Sequence, residues 1–215
     1  SSPRLGAVTG NPRIRNRTSL LGKIQVGEFS SIIGLIKRAQ RIYGRIFTVS
    51  GVVVAFNKTA LHDIDYWTSD NVTEDIDVSW RLQLKHWDIR FEPNALCWIL
   101  TPETLSGLTR QRIRWAQGGS ETFLRYAGKM LPWRRRRMWL VCTEYVLSVV
   151  WSYAFVLTLS LWLMGKVIYL PPYLRINSLI PEWTGVLLGV TCLLQAGVSL
   201  AIDSRYEKGL FKYFF

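Results

Sequence analysis

Thr73-Glu74-Asp75 heads a stretch in which Ile76, Trp80, Leu84 and Trp87 recur along one face at helical spacing. Asp75 therefore falls at or beside a helix N-terminus, where backbone N–H groups and the helix dipole stabilise a carboxylate. A carboxylate so placed can accept a proton from a hydroxyl. The triplet alone is equally the signature of an ordinary helix cap with no chemistry attached. The pentapeptide Gln111-Arg112-Ile113-Arg114-Trp115 begins 36 positions beyond Asp75. In a helix, Gln111, Arg114 and Trp115 stand at i, i+3 and i+4 and share one face, offering an amide, a guanidinium and an indole together. Guanidinium groups grip phosphate oxygens in bidentate fashion, and an indole can stack on the apolar face of a sugar ring. The plainer alternative is a basic amphipathic interface helix with Trp115 packed inward.

These residues need a frame. Leu5 to Val8 reads as a brief strand that leaves into a basic loop carrying Arg13, Arg15 and Arg17. The spacing predicts a helix from about Leu20 to Tyr43, weakened by Gly22, Gly27 and Gly34, with Lys37, Arg38 and Arg41 at its basic end. Phe47 to Phe56 is short and almost wholly apolar, as a strand buried on both faces is, and Ser50-Gly51 within it allows a bulge or close approach by a ligand. Helix follows from about Glu74 to His86, then a strand from Phe91 to Leu100, then an amphipathic helix introduced by Pro102. Alternation of strand and helix predicts an α/β sheet domain over residues 1–130.

Residues 131–215 read as a membrane region. Met138 to Met164 is long enough to cross a bilayer and Trp183 to Ala201 just reaches that length, and a further apolar segment starts after 209 at Tyr213-Phe214-Phe215. Arg134 to Arg137 before the first span, with Arg205 and Lys208 after the second, place both flanks in the cytoplasm. Glu144 and Gln195 interrupt the spans and suit polar interhelical contacts or a polar path. With 49% hydrophobic residues and ten Trp, a wholly soluble protein is disfavoured. The chain reads as an internal fragment, since it begins at Ser-Ser-Pro and stops where an apolar run starts.

The net charge of +12 suits nucleic acid, anionic lipid or phosphate, and its placement decides among them. Arginines abutting an apolar span favour membrane and phosphate, and no basic stripe interleaved with aromatics supports nucleic acid as a partner. Cys97, Cys142 and Cys192 lack metal-ligand spacing, and His62 and His86 stand far apart, so a zinc site is not expected.

In this order, the acidic triplet, the pentapeptide and the trailing spans resemble the C-terminal half of a processive family 2 glycosyltransferase, in particular the branch that polymerises N-acetylglucosamine. Ser50-Gly51-Val52-Val53-Val54-Ala55-Phe56 and the run from Gln111 to Gly119 carry the likeness furthest, and Gly6 to Asn11 and Gly27 to Gln40 extend it. The resemblance implies a GT-A nucleotide-binding α/β fold that uses UDP-N-acetylglucosamine and a divalent metal, Mg or Mn, to extend a β-linked exopolysaccharide of biofilm type. It implies a multi-pass protein of the bacterial plasma membrane with its catalytic part in the cytoplasm, and it admits a small membrane partner subunit. The family's general base falls on Asp75. Its donor and acceptor cradle falls on Gln111, Arg112, Arg114 and Trp115, with Glu74 also against substrate and Ser50 and Gly51 on the acceptor pocket floor. Cellulose, chitin and hyaluronan synthases share these motifs, and a noncatalytic scaffold whose basic face binds anionic lipid is the reading from another class. The family's nucleotide and metal motifs are missing: neither Asp63-Ile64-Asp65 nor Asp75-Ile76-Asp77 directly follows a buried strand. The metal ligands are thus expected outside this chain, and the chain alone is expected to be inactive.

Overall fold

A computed structural model describes residues 3–176, 178 and 182–213. Its sheet has three strands in the order β2-β1-β3: β1 (Leu5–Ile14) at the centre, β2 (Val54–Phe56) antiparallel to it and β3 (Asp88–Ile99) parallel. The helices are α1 (Leu20–Phe29), α2 (Lys37–Tyr43), α3 (Lys58–Asp63), α4 (Glu74–Leu84), α5 (Leu105–Met130), α6 (Trp139–Val167) and α7 (Glu182–Asp203). Contacts divide the chain into two units, residues 1–141 with 195–215, and residues 142–194.

The first unit is the expected α/β assembly, with corrections. The strand read over Leu5–Val8 runs on to Ile14, because the supposed basic loop is neutralised by distant acids. Arg13 donates from Nη1 to Asp203 at 2.6 Å and from Nε to Glu207 at 2.8 Å, Arg17 also pairs with Glu207, and Arg38 reaches Asp203 at 3.3 Å. All five side chains are buried or nearly so. Pro12 follows an irregularity in the β1–β3 register between Thr9 and Asn11, a place where a strand tolerates a missing N–H.

The strand read over Phe47–Phe56 shrinks to Val54–Phe56 and lies at the sheet edge, where Ala55 is exposed. Residues 46–50 instead hand their N–H groups to side chains: Ile46 to Gln83 Oε1 at 3.0 Å, Phe47 to Gln40 Oε1 at 3.0 Å, Val49 to Ser79 Oγ at 2.8 Å and Ser50 to Thr9 Oγ1 at 2.8 Å. A buried backbone must find partners, and here side chains take the place of a ladder. The helix expected from Leu20 to Tyr43 is continuous, but its middle, Ser30–Ile36, is wound as a π-helix. It closes at Gly44, whose φ of 77° lets the backbone turn left-handed after the last turn. Lys37, read as part of the helix's basic end, is buried.

Helix α4 is buried nearly all round rather than along one stripe. Ile76, Val78, Trp80, Leu82 and Leu84 are buried, and so are Asp77, Ser79 and Gln83. Each polar group is satisfied: Asp77 accepts from Arg81 Nε at 2.7 Å, Tyr126 Oη at 2.7 Å and Thr68 Oγ1 at 3.1 Å, and Gln83 bonds both ways to Ile46. Ile14, Val26, Phe29, Leu200 and Leu210 form a separate apolar cluster. Leu210 begins a short 3-10 turn, Leu210–Tyr213; the further apolar segment read after 209 extends at Phe214 and Phe215 outside the described residues.

The second unit consists of the helical stretch 142–167, the connection after it and the first part of α7. Two helices are long and apolar enough to cross a membrane, over Trp133–Val167 at mean hydropathy 1.9 and Gly185–Asp203 at 2.0. The tetra-arginine run forms a 3-10 turn, Trp133–Met138, where Trp133 and Trp139 meet edge to face with centroids 5.5 Å apart.

Candidate active site

Asp75 lies in the first turn of α4, as the sequence places it. Its Oδ1 accepts the N–H of Ile76 at 2.9 Å, and its carbonyl accepts the Ser79 hydroxyl at 2.6 Å. Thr73 stands at the N-cap but makes no side-chain cap bond, and the Asp75 carboxylate takes its place on a first-turn amide. Burial pushes the Asp75 carboxyl above the usual carboxylate range; Glu74 beside it pushes the same way, while the Ile76 N–H and the cation of Lys37 pull back. Glu74 itself is exposed. Lys37 answers in kind: burial lowers its ammonium to about 8, and the Asp75 anion opposes the fall. Among the described residues neither group forms an ion pair within 4.0 Å.

The Ser50-Gly51 turn faces this carboxylate. A Cβ built on Gly51 would sit 3.7 Å from Asp75 Oδ2, and the turn is pinned by the Ser50 and Val49 bonds to β1 and α4. Asp75 and Gly51 thus come together, with Ser50 next to them and the Lys37 charge acting on the carboxylate.

Helix α5 meets the start of α4. Gly118 is packed so closely on Thr73 that a Cβ there would run into its side chain, and Asn71 bonds Thr122 at 2.9 Å. Trp115 lies three residues before Gly118, about 4.5 Å of helix rise, so the pentapeptide ends within one turn of the start of α4.

The pentapeptide is helical, and its side chains meet different surroundings. Trp115 packs against the Ile14, Val26 and Phe29 cluster. The guanidinium over its ring, at 4.5 Å from the centroid, belongs to Arg112 rather than Arg114. Arg112 also donates from Nη2 to Glu28 at 2.5 Å. Arg114 is exposed, and Gln111 is half-buried with its Oε1 enclosed and without a hydrogen-bond partner. An enclosed, unpaired amide oxygen is costly and marks a place for a donor from a ligand or water.

The described residues do not fit a metal. No three His, Cys, Asp or Glu side chains converge among them. Asp77 is committed to Arg81 and Tyr126, and Asp63 accepts from Trp87 Nε1 at 2.9 Å and pairs with Lys85 at 3.6 Å.

Residues 1–198 match the model of glycosyl transferase family group 2. The chain belongs to that family. It is 46% identical over 207 residues, 96% of its length, to a poly-beta-1,6-N-acetyl-D-glucosamine synthase of Staphylococcus epidermidis, and 44% identical over 206 residues to the synthase of that name from Staphylococcus aureus strain COL. The chain spans about half the length of these curated relatives, 50% in each case. A mannosyltransferase from Pyrobaculum calidifontis in complex with GDP-Man and Mn2+ aligns at 14% identity over 96% of this chain and 55% of that one, with a TM-score of 0.47, too low to bear on a shared fold. The α/β unit is therefore part of a family 2 glycosyl transferase domain, as the resemblance implied.

Two residues linked to the candidate site escaped the sequence reading, Lys37 and Glu28. Lys37 gave no signal beyond one more cation in a basic run. Glu28 did give one: it is the only acid in the first 62 residues.

Proposed function

We propose that this chain is the C-terminal half of a membrane-bound, processive, inverting glycosyltransferase that polymerises N-acetylglucosamine from UDP-N-acetylglucosamine into a β-linked exopolysaccharide. The observation that carries the reading is the meeting of Asp75 with the Ser50-Gly51 turn at the mouth of α4, beside the Gln111–Trp115 segment, in a family 2 chain nearly half identical to synthases of that name.

In this reading Asp75 accepts the proton of an acceptor hydroxyl as its oxygen bonds to the anomeric carbon and the bond to the departing diphosphate breaks. Inversion follows from that single displacement. The raised proton affinity of the buried carboxylate makes it a better base than a solvated one, and Lys37 keeps enough positive charge nearby to hold the anion before substrate binds. Ser50 and Gly51 form the floor under the acceptor, with Glu74 at its rim. Gln111, Arg112, Arg114 and Trp115 surround the diphosphate and the sugar, and cationic side chains there offset the charge that develops on the leaving group.

The divalent metal that the family resemblance implies would take its ligands from residues outside this chain, and would supply further charge neutralisation at the diphosphate. The two apolar helices would anchor the protein in a bacterial plasma membrane, multi-pass, with the catalytic part in the cytoplasm. A lipid bilayer and the growing glycan are then its standing partners.

The test is polymer synthesis by the full-length protein carrying Arg114→Ala, alongside donor competition. Turnover should fall, and UDP-N-acetylglucosamine should compete better than UDP-glucose. Unchanged kinetics would remove Arg114 from the site, and a preference for UDP-glucose would replace the substrate assignment with a cellulose-type one.

A further inference from the structure

Arg112 is held from two sides. Its Nη2 donates to Glu28 Oε2 at 2.5 Å, and its guanidinium lies over the Trp115 ring at 4.5 Å from the centroid. Helix α1 supplies both constraints, because Val26 and Phe29, on either side of Glu28, build the cluster against which Trp115 packs. The indole thereby has one face given to a cation and another part to the core, so a sugar ring could stack on the covered face only by displacing Arg112.

The pair is an unpromising structural bond. Both side chains are about one third exposed, at 30% for Arg112 and 31% for Glu28, and pairs of that kind add little to folding. Burial raises the proton affinity of Glu28 and the Arg112 charge lowers it again. What the pair does achieve is orientation. A free arginine samples many rotamers, whereas a planar guanidinium fixed by a carboxylate and a ring keeps its other N–H groups at set angles.

We propose that Glu28 is a positioning residue: it locks the Arg112 guanidinium on the Trp115 indole, so that the remaining N–H donors are presented to the diphosphate of the sugar donor. The inference rests on the transferase reading for its ligand, and on the α1–α5 geometry for everything else. Glu28 touches no substrate and acts through Arg112 alone.

The experiment uses the full-length enzyme in detergent or nanodiscs, with steady-state kinetics for UDP-N-acetylglucosamine on Glu28→Gln, Arg112→Ala and the double variant. Glu28→Gln should raise the donor KM roughly tenfold with a smaller change in kcat, and the double variant should be no worse than Arg112→Ala, since both changes remove one device. Glu28→Asp should recover part of the loss. In the wild type the donor KM should climb as pH falls and Glu28 takes up a proton; in Arg112→Ala that slope should flatten. A wild-type KM in Glu28→Gln, or losses that multiply in the double variant, would overturn the proposal. Should Glu28→Gln fail to fold, Arg112→Lys carries the test, because an ammonium cannot lie flat on the indole while pairing with Glu28; a wild-type donor KM there also overturns it. Failure of the underlying reading looks different: the wild-type enzyme would then bind no UDP-sugar at all.

Discussion

Asp203 and Glu207 meet Arg13, Arg17 and Arg38 through direct ion pairs, whereas Asp75 and Lys37, also withdrawn from water, touch no oppositely charged atom within 4.0 Å among the described residues. The first cluster has every carboxylate matched by a guanidinium and ties β1 to the segment that follows α7. The second leaves a carboxylate with raised proton affinity, in contact with the Gly51 turn, and an ammonium lowered to about 8 whose charges act on each other without a direct pair. Matched charge holds a fold in register; unmatched charge keeps its reactivity. Asp75 and Asp77 repeat the contrast on one helix, since Asp77, two positions on, is saturated by Arg81, Tyr126 and Thr68. Its demand reaches its partner too: burial first, then the hydrogen bond to Asp77, pushes the Tyr126 hydroxyl up to about 12.

Several substitutions would break or sharpen this contrast. Asp75→Asn in the full-length protein should cut polymer synthesis by about 10²–10⁴-fold while leaving thermal unfolding close to wild type, because only a proton acceptor is lost. Radiolabelled sugar incorporation measures the first and a melting curve the second; ordinary turnover would make Asp75 a structural acid like its neighbour. Asp203→Ala should do the reverse to stability, costing about 3–5 kcal/mol by stranding buried Arg13, read as a fall in unfolding temperature in detergent. An unchanged melt would show the arginine cluster to be dispensable.

Gly118→Ala tests the approach of α5 to the start of α4. The added methyl meets Thr73, so a loss of about 1–3 kcal/mol is expected, with Thr73→Ser giving partial relief. Additive losses in the double variant would break the link between the two helices. The smallest effect is expected from Lys37→Met. Asp75 must be ionised to take a proton, so activity rises as pH passes upward through its pKa. Removing the Lys37 cation raises that pKa further, and the acid limb of the pH–activity profile should move to higher pH. A limb that stays put would show that Lys37 does not act on Asp75.

What the sequence made legible was local. Asp75 at a helix start, the α4 and β3 elements and the long α5 helix follow from spacing and cap chemistry within a dozen or so residues. What it hid depended on distant partners. Arg13 reads as loop because the acids that neutralise it stand 190 and 194 positions away. Phe47–Phe56 reads as a buried strand because it is apolar, yet its amides are taken by Gln83, Gln40, Ser79 and Thr9, which no pattern within the segment announces. The same applies to the site: the Gln111–Trp115 motif could be read, but that Arg112 rather than Arg114 lies on the indole depends on Glu28, 84 positions upstream.

The π-wound turn Ser30–Ile36 sits between Glu28, which pairs with Arg112, and Lys37, whose charge acts on Asp75. Such turns hold one residue more than ordinary winding needs, and each residue of an α-helix advances the azimuth by about 100°. Rewound as regular α-helix with no residue removed, these seven residues would carry Lys37 about a quarter-turn from its present azimuth, although no atom of either side chain had been altered. The angular phase between Glu28 and Lys37 is thus written in the winding of the backbone, which substitution of either side chain would never reveal.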